Sequence, residues 1–196
     1  MPDAKRRIFA QGDLDGACFL YSIVNAHAAL CGQPPEFERV CAAFCQVDHP
    51  ADFLNASVGT TGGFDQNHAL LQDNMERMLA LLQGGRFLVS RIPGPMTAAA
   101  LGALLDAASV VILRYQGSSQ FADSMDHWVC AVAYDGARER LAVACSVRHQ
   151  RACNGSPCRY AETWHPESGR WSNDALCPER AYALVEGEAF VVRLAG

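Results

Sequence analysis

Residues 17–30 read Ala17-Cys18-Phe19-Leu20-Tyr21-Ser22-Ile23-Val24-Asn25-Ala26-His27-Ala28-Ala29-Leu30, an apolar run broken only by Ser22, Asn25 and His27. At helical spacing those three residues leave no continuous polar stripe. A helix without a wet side belongs in the middle of a core, so this segment is predicted to be a central helix with other elements packed around it. Gly32 and the Pro34-Pro35 pair end it.

Upstream, Gln11-Gly12-Asp13-Leu14-Asp15-Gly16 is a run of turn-forming residues that delivers the chain into Cys18. A thiol at the first turn of a helix lies against the helix's positive end, where backbone N–H groups favour the thiolate over the thiol. The thiolate is the nucleophilic form. Gly16 permits close backbone approach just before it, where a substrate carbonyl would have to lie.

Downstream, the chain continues as helices and then changes period. Glu36 to Val47 is predicted as a second, more amphipathic helix. Residues 59–63 form a glycine-threonine loop, and Asp65 is placed to cap a third helix running to about Leu82. Arg86 to Ile92 is a predicted strand, Thr97 to Ala107 a short helix, and Ser109 to Tyr115 a β-branched buried strand. Trp128 to Tyr134 and Arg140 to Ala144 follow as strands about the turn pair Asp135-Gly136. Tyr182 to Val185 and Phe190 to Leu194 are predicted as a final hairpin around Glu186-Gly187-Glu188. The polar stretch between Val147 and Arg180 is too long for a plain connection and is expected to be an ordered insertion or flap. The sum is α+β: helices first, then a mainly antiparallel sheet, in one domain over 1–196.

The second chemical signal is Ser124-Met125-Asp126-His127-Trp128-Val129, where a histidine enters a strand beside an aromatic. A cysteine on the helical half and a histidine on the sheet half are the two parts of a thiol nucleophile and its base, which must meet in space and not in sequence.

Gln-Gly, then Gly-x-Cys-x-x-x-Ser on a buried helix, then His-Trp opening a strand: this ordered pattern resembles the papain-like cysteine peptidases. It is most similar to the short bacterial papain-fold and double-glycine-leader peptidases. The resemblance implies a papain-like fold whose central helix carries the cysteine. It also implies cleavage of a peptide or isopeptide bond through a thioester. Carried over by position, Cys18 is the nucleophile and His127 its base. Gln11, seven residues before Cys18, donates its side-chain amide to the oxyanion. The family's base-orienting Asn or Asp follows at the end of the next strand, which here reads Ala144-Cys145-Ser146-Val147. Ser146 is therefore the candidate orienter, with Asp126 and Asn173 as replacements or a dyad as the remaining option. Short isolated domains of this kind resemble secreted bacterial effectors or toxins. A deamidase or acyltransferase on the same fold, and a catalytically dead binding module, are the rival functions.

Composition sets the remaining expectations. With 16 Lys+Arg against 21 Asp+Glu the chain is acidic, which argues against a nucleic-acid partner. No run reaches the length of a membrane span, and no apolar leader follows the charged start Lys5-Arg6-Arg7, so synthesis in the cytoplasm is expected, with non-classical secretion open. Nine cysteines is an odd number, and free thiols are the expectation in a reducing compartment. Cys31, Cys41 and Cys45 are expected to pack, and His27 to be a satisfied core histidine. His68 is placed to border a cleft. Cys153, Cys158 and Cys177 with His149 and His165 are the only grouping that suggests zinc or a disulfide, and their spacing is not that of a zinc knuckle. No cofactor or metal is expected, and the expected partner is a protein or peptide substrate.

Overall fold

The computed structural model describes residues 17–53, 64, 67–94, 96–117, 127–137, 140–144, 146, 162–165, 170–173 and 177–195. The central helix α1 spans Cys18–Cys31, and every residue in it except Tyr21 and Cys31 is buried. Ala17, at its N-cap, has no side-chain oxygen to offer that end, while Gly32 closes the other in the left-handed conformation at φ 74°. Ser22 lies mid-helix because its hydroxyl donates back to the Cys18 carbonyl at 2.8 Å, a bond that satisfies it without water.

Three helices follow α1 before the first strand. The amphipathic α2 (Phe37–Phe44) is shorter than its sequence suggests, and a single turn, α3 (Pro50–Phe53), follows it. Helix α4 (His68–Leu82) buries Leu71, Met75, Met78, Leu79 and Leu82, while Leu70, which shares their apolar spacing, is only half-buried. Asn67 caps it by accepting from the Leu70 N–H at 3.2 Å; the expected cap, Asp65, is outside the described residues.

Helix α4 does not stop on the glycines alone. Gln83 takes φ 62° and ψ −165°, a region almost reserved for glycine, before Gly84 continues at φ 90°. Two side chains pin this turn. His27 Nε2 donates to the Gln83 carbonyl at 2.5 Å, and Arg39 donates to the Gln83 side-chain oxygen. The C-terminal end of α1 and the C-terminal end of α4 are thereby tied together.

The sheet is antiparallel throughout. Its strands are β1 (Arg86–Arg91), β2 (Ser109–Gly117), β3 (His127–Asp135), β4 (Arg140–Ala144), β5 (Glu162–His165), β6 (Arg170–Asn173) and β7 (Cys177–Ala195), with a five-residue helix α5 (Ala98–Gly102) between β1 and β2. The order across the sheet is β1-β7-β2-β3-β4-β5-β6, and β6 also pairs with the first part of β7, so six strands close on themselves with β1 added at the edge of β7. Residues 147–180, expected as an insertion or flap, thus contribute two strands and the start of a third to the sheet itself.

One expectation is corrected here. The predicted final hairpin is a single long strand, β7, and Glu186-Gly187-Glu188 is not a reversal. Leu113 pairs with Ala189 and Tyr115 with Leu184, so Val185 to Glu188 stand opposite Arg114 alone as a large bulge. Gly187 supplies the positive φ, 72°, that the bulge needs. A Gly between charged residues signals a turn and a bulge equally well, and the unbroken pairing of both flanks with β2 selects the bulge.

Strand alternation divides the core. Val110 and Ile112 of β2, Trp128, Cys130 and Val132 of β3, and Phe190 and Val192 of β7 face α1 and α4. Val111, Leu113, Val129, Ala131, Leu141, Val143 and Ala189 form a second core on the other face, with Leu101 of α5. Helix α1 packs on β2, β3 and β7 on one side and on α4 on the other, which explains its apolar circumference.

The α1–β3 contact is centred on aromatic rings. Phe19 meets Trp128 edge-on with centroids 5.0 Å apart, stacks on Phe53 at 5.6 Å, and Trp128 continues to Phe190 at 6.2 Å. Phe19→Ala is expected to cost about 3–5 kcal/mol in urea unfolding through the cavity it opens. Phe37→Ala, on a residue 70% exposed, should change stability by less than about 0.5 kcal/mol. Gln83→Gly should raise the unfolding midpoint, by about 0.5 kcal/mol: relief of the strained backbone outweighs loss of the exposed Arg39 bond, and the carbonyl that His27 binds is retained.

Candidate functional site

Cys18 begins α1 and His127 begins β3, and the residues that follow them, Phe19 and Trp128, are the pair whose rings meet at 5.0 Å. The two chemical residues are therefore carried to the same corner of the molecule, where the front of α1 lands on the start of β3. Both are enclosed: Cys18 is 6% exposed and His127 5%. The pleat turns Trp128 toward α1, and Val129 belongs to the opposite core. His127 is the first rung of the ladder, opposite Tyr115, so it stands at the end of the sheet and not over the middle of its face.

Ser146 is also at this end. Ser146 is a turn residue two positions beyond Ala144, which pairs with Cys130 at the end of the β3–β4 ladder, and it is 1% exposed. Gln11 and Asp126 lie outside the described residues, and Asn173 is described in its backbone alone, within β6.

Electrostatics at the corner depart from a simple expectation. Burial pushes the His127 imidazole down to about 3, so the ring is neutral at neutral pH. A neutral imidazole is a base awaiting a proton. It is not the resident cation of an imidazolium–thiolate pair.

Sequence reading passed over two charged residues here. Arg114, the lone charge in Ser109-Val110-Val111-Ile112-Leu113-Arg114-Tyr115, is 6% exposed and pairs with Trp128 across the β2–β3 ladder. Its Nη1 donates to Glu188 Oε2 of the β7 bulge at 2.8 Å, and Glu188 is 4% exposed. Among the described residues these are the only buried Arg, Lys, Asp or Glu side chains. The signal in the sequence was an arginine inside an otherwise aliphatic strand, which can be buried only with a partner.

Arg91, at the end of β1, reaches the same bulge, its Nε donating to the Gly187 carbonyl at 2.8 Å. His68, at the start of α4, lies near enough to feel both groups. Burial lowers its affinity for a proton most, Arg91 lowers it further, and Glu188 opposes them.

The other thiols serve different ends. Cys130 is buried, as packing thiols are, but Cys41 and Cys45 are exposed and Cys31 is only half-buried, so the expected packing role fails for the α2 cysteines. Helix α2 ends at Phe44 and turns only Val40 and Ala43 inward, which leaves positions 41 and 45 on the solvent side. Cys31 Sγ lies 3.6 Å from His27 Nε2, and burial pushes its thiol up, away from reactivity. His27 is bonded through one nitrogen only; its buried Nδ1 has no partner, and burial lowers its proton affinity.

No group of three or more His, Cys, Asp or Glu side chains among the described residues is arranged to hold a metal ion. The Cys153, Cys158 and His149 grouping lies outside the described residues, and His165 and Cys177 are described in backbone only. Among the described residues no helix is long and apolar enough to cross a membrane.

The low proton affinity of His127 has a consequence for stability. The unfolded chain binds a proton at this residue near pH 6.5 and the folded chain only near 3. The stabilisation is therefore complete above about pH 6.5 and is lost as pH falls toward 3, by up to about 1.4 kcal/mol per pH unit. His127→Gln is expected to flatten this dependence in urea unfolding at pH 7, 6 and 5, leaving the share that His27 contributes with the same sign. A wild-type and variant pair with parallel pH curves would contradict the assignment.

No protein-family model matches this chain, and a search of curated proteins returned no match.

Proposed function

We propose that the chain is a papain-like cysteine hydrolase that cleaves a peptide or isopeptide bond, with Cys18 as nucleophile and His127 as base. The observation that carries this reading is the Phe19–Trp128 ring contact, because it brings the residues immediately before each ring, a helix-opening thiol and a buried neutral imidazole, to one corner.

In this reading His127 takes the Cys18 proton as Sγ attacks the carbonyl carbon of the scissile bond. The tetrahedral oxyanion forms at the amino end of α1, where the helix favours negative charge, with Gln11 as a second donor. Collapse breaks the C–N bond, and the proton on His127 passes to the departing amine. Water then attacks the thioester, gives its proton to His127, and releases the acid as the thiol is restored. Ser146 is the candidate that orients the ring. The substrate class is a protein or peptide, and action as a bacterial effector or toxin is consistent with a compact single-domain hydrolase.

A second reading has its own support. The enclosure of both residues and the low proton affinity of His127 fit a dead member of the fold that binds a peptide without cutting it. Site-resolved iodoacetamide labelling at pH 6 separates the two. Catalysis predicts that Cys18 alone among the nine cysteines reacts fast, and that His127→Ala slows it by about 10²-fold. Uniform slow labelling would reject the hydrolase and leave the binding module.

A further inference from the structure

Helix α2 ends in two thiols that the proposed chemistry does not use. Cys45 follows the last residue of the helix and is still in the right-handed helical conformation, at φ −72° and ψ −13°. Its N–H donates to the Cys41 carbonyl at 3.2 Å, so the turn that joins the two cysteines is intact. Residues four apart on a helix lie one above the other on the same face, with Cβ atoms about 5–6 Å apart. Here that face is the wet one: Val40 and Ala43 are turned into the core, and Cys41 and Cys45 are both exposed and both free thiols. No other pair among the described cysteines shares this arrangement. Cys18 and Cys130 are buried, and Cys31 is half-buried against His27.

Spacing decides what such a pair can hold. A disulfide needs Cβ atoms about 3.5–4.5 Å apart, so closing one here would pull the last turn of α2 out of shape. A single bridging metal ion reaches farther. Two metal–thiolate bonds of about 2.3 Å set the sulfurs about 4–5 Å apart, within reach of side chains one helical turn apart. Thiolates are soft donors and select soft cations. Among the described residues no group of three or more His, Cys, Asp or Glu side chains is arranged for a metal, which leaves the pair without a tetrahedral zinc set. Copper(I) is soft, and two thiolates satisfy it in linear coordination. Position adds to chemistry, because the carboxyl end of a helix carries partial negative charge and favours a cation. We propose that Cys41 and Cys45 form a two-thiolate binding site for copper(I). On binding, each thiol releases its proton to solvent, two S–Cu bonds form and the copper's previous ligands leave; no electron is transferred. The site lies on the solvent face of α2 and does not depend on the reading of Cys18 as nucleophile.

The test is iodoacetamide footprinting of the full, reduced chain without oxygen, before and after one equivalent of copper(I), read by mass spectrometry. Trypsin places Cys41 and Cys45 together in the peptide 40–77, which holds no other cysteine, so their readout is separate from that of the remaining thiols. Copper(I) is expected to slow alkylation of both cysteines in parallel, by about tenfold or more, since a metal-bound thiolate is no longer a free nucleophile. C41S is expected to leave Cys45 unprotected, and C45S to leave Cys41 unprotected. A single thiolate loses the effective concentration of its neighbour, which amounts to about a hundredfold in affinity. C31S is expected to leave the protection of both at the wild-type level. Cys41 and Cys45 are exposed, so C41S and C45S should keep the wild-type far-UV circular dichroism. The inference is overturned if copper(I) protects neither cysteine in the wild type. It is equally overturned if the cysteine left in C41S or C45S is protected as well as it is in the wild type. Competition with bicinchoninate for copper(I) is an independent measurement: C41S, C45S and C41S/C45S should lose the same amount of bound copper(I), and a single variant that binds like wild type rejects the two-thiolate site.

Discussion

The contact between Phe19 and Trp128 sets the positions of everything at the chemical end of this protein. It is where the helical half meets the sheet half, and it is buried on all sides, with Phe53 behind one ring and Phe190 beside the other. Aromatic rings have few rotamers and large buried areas, so an edge-on pair constrains both the separation and the rotation of the elements that bear it. Because Cys18 and His127 are one residue away from these rings, neither can drift without moving a ring out of a close-packed core.

That constraint was partly visible in the sequence. The central helix was legible because its residues leave no stripe for water, and burial of all but Tyr21 and Cys31 follows from that alone. Strands β1 to β4 were legible from β-branched composition and the turn at Asp135-Gly136. The end of β7 was not, because Glu186-Gly187-Glu188 carries the same local chemistry whether the chain reverses or bulges. Only the long-range pairing of both flanks with β2 distinguishes the two, and long-range pairing leaves no local trace. The exposure of Cys41 and Cys45 was missed for a related reason: cysteine is usually buried, and which side of a short helix faces inward depends on what the helix lands on.

For the site, residue types were easier to read than their electrical state. A helix-opening cysteine and a strand-opening histidine suggest an ion pair when read as letters. Enclosure of the imidazole removes the solvation a charged ring would need, and the structure favours the neutral form. Ser146 was read from its place after β4, and its burial is compatible with a partner for the ring, but serine is a weak substitute for a carboxylate. Among the described residues the buried charges are Arg114, on the strand beside β3, and Glu188, which pairs with it.

The long bulge in β7 becomes intelligible through the buried arginine. A charge inside an aliphatic strand can be enclosed only with a partner, because its desolvation is otherwise uncompensated. In an unbroken strand, register fixes each position opposite Arg114; three residues beyond that register allow Glu188 to reach it and keep the core charge paired.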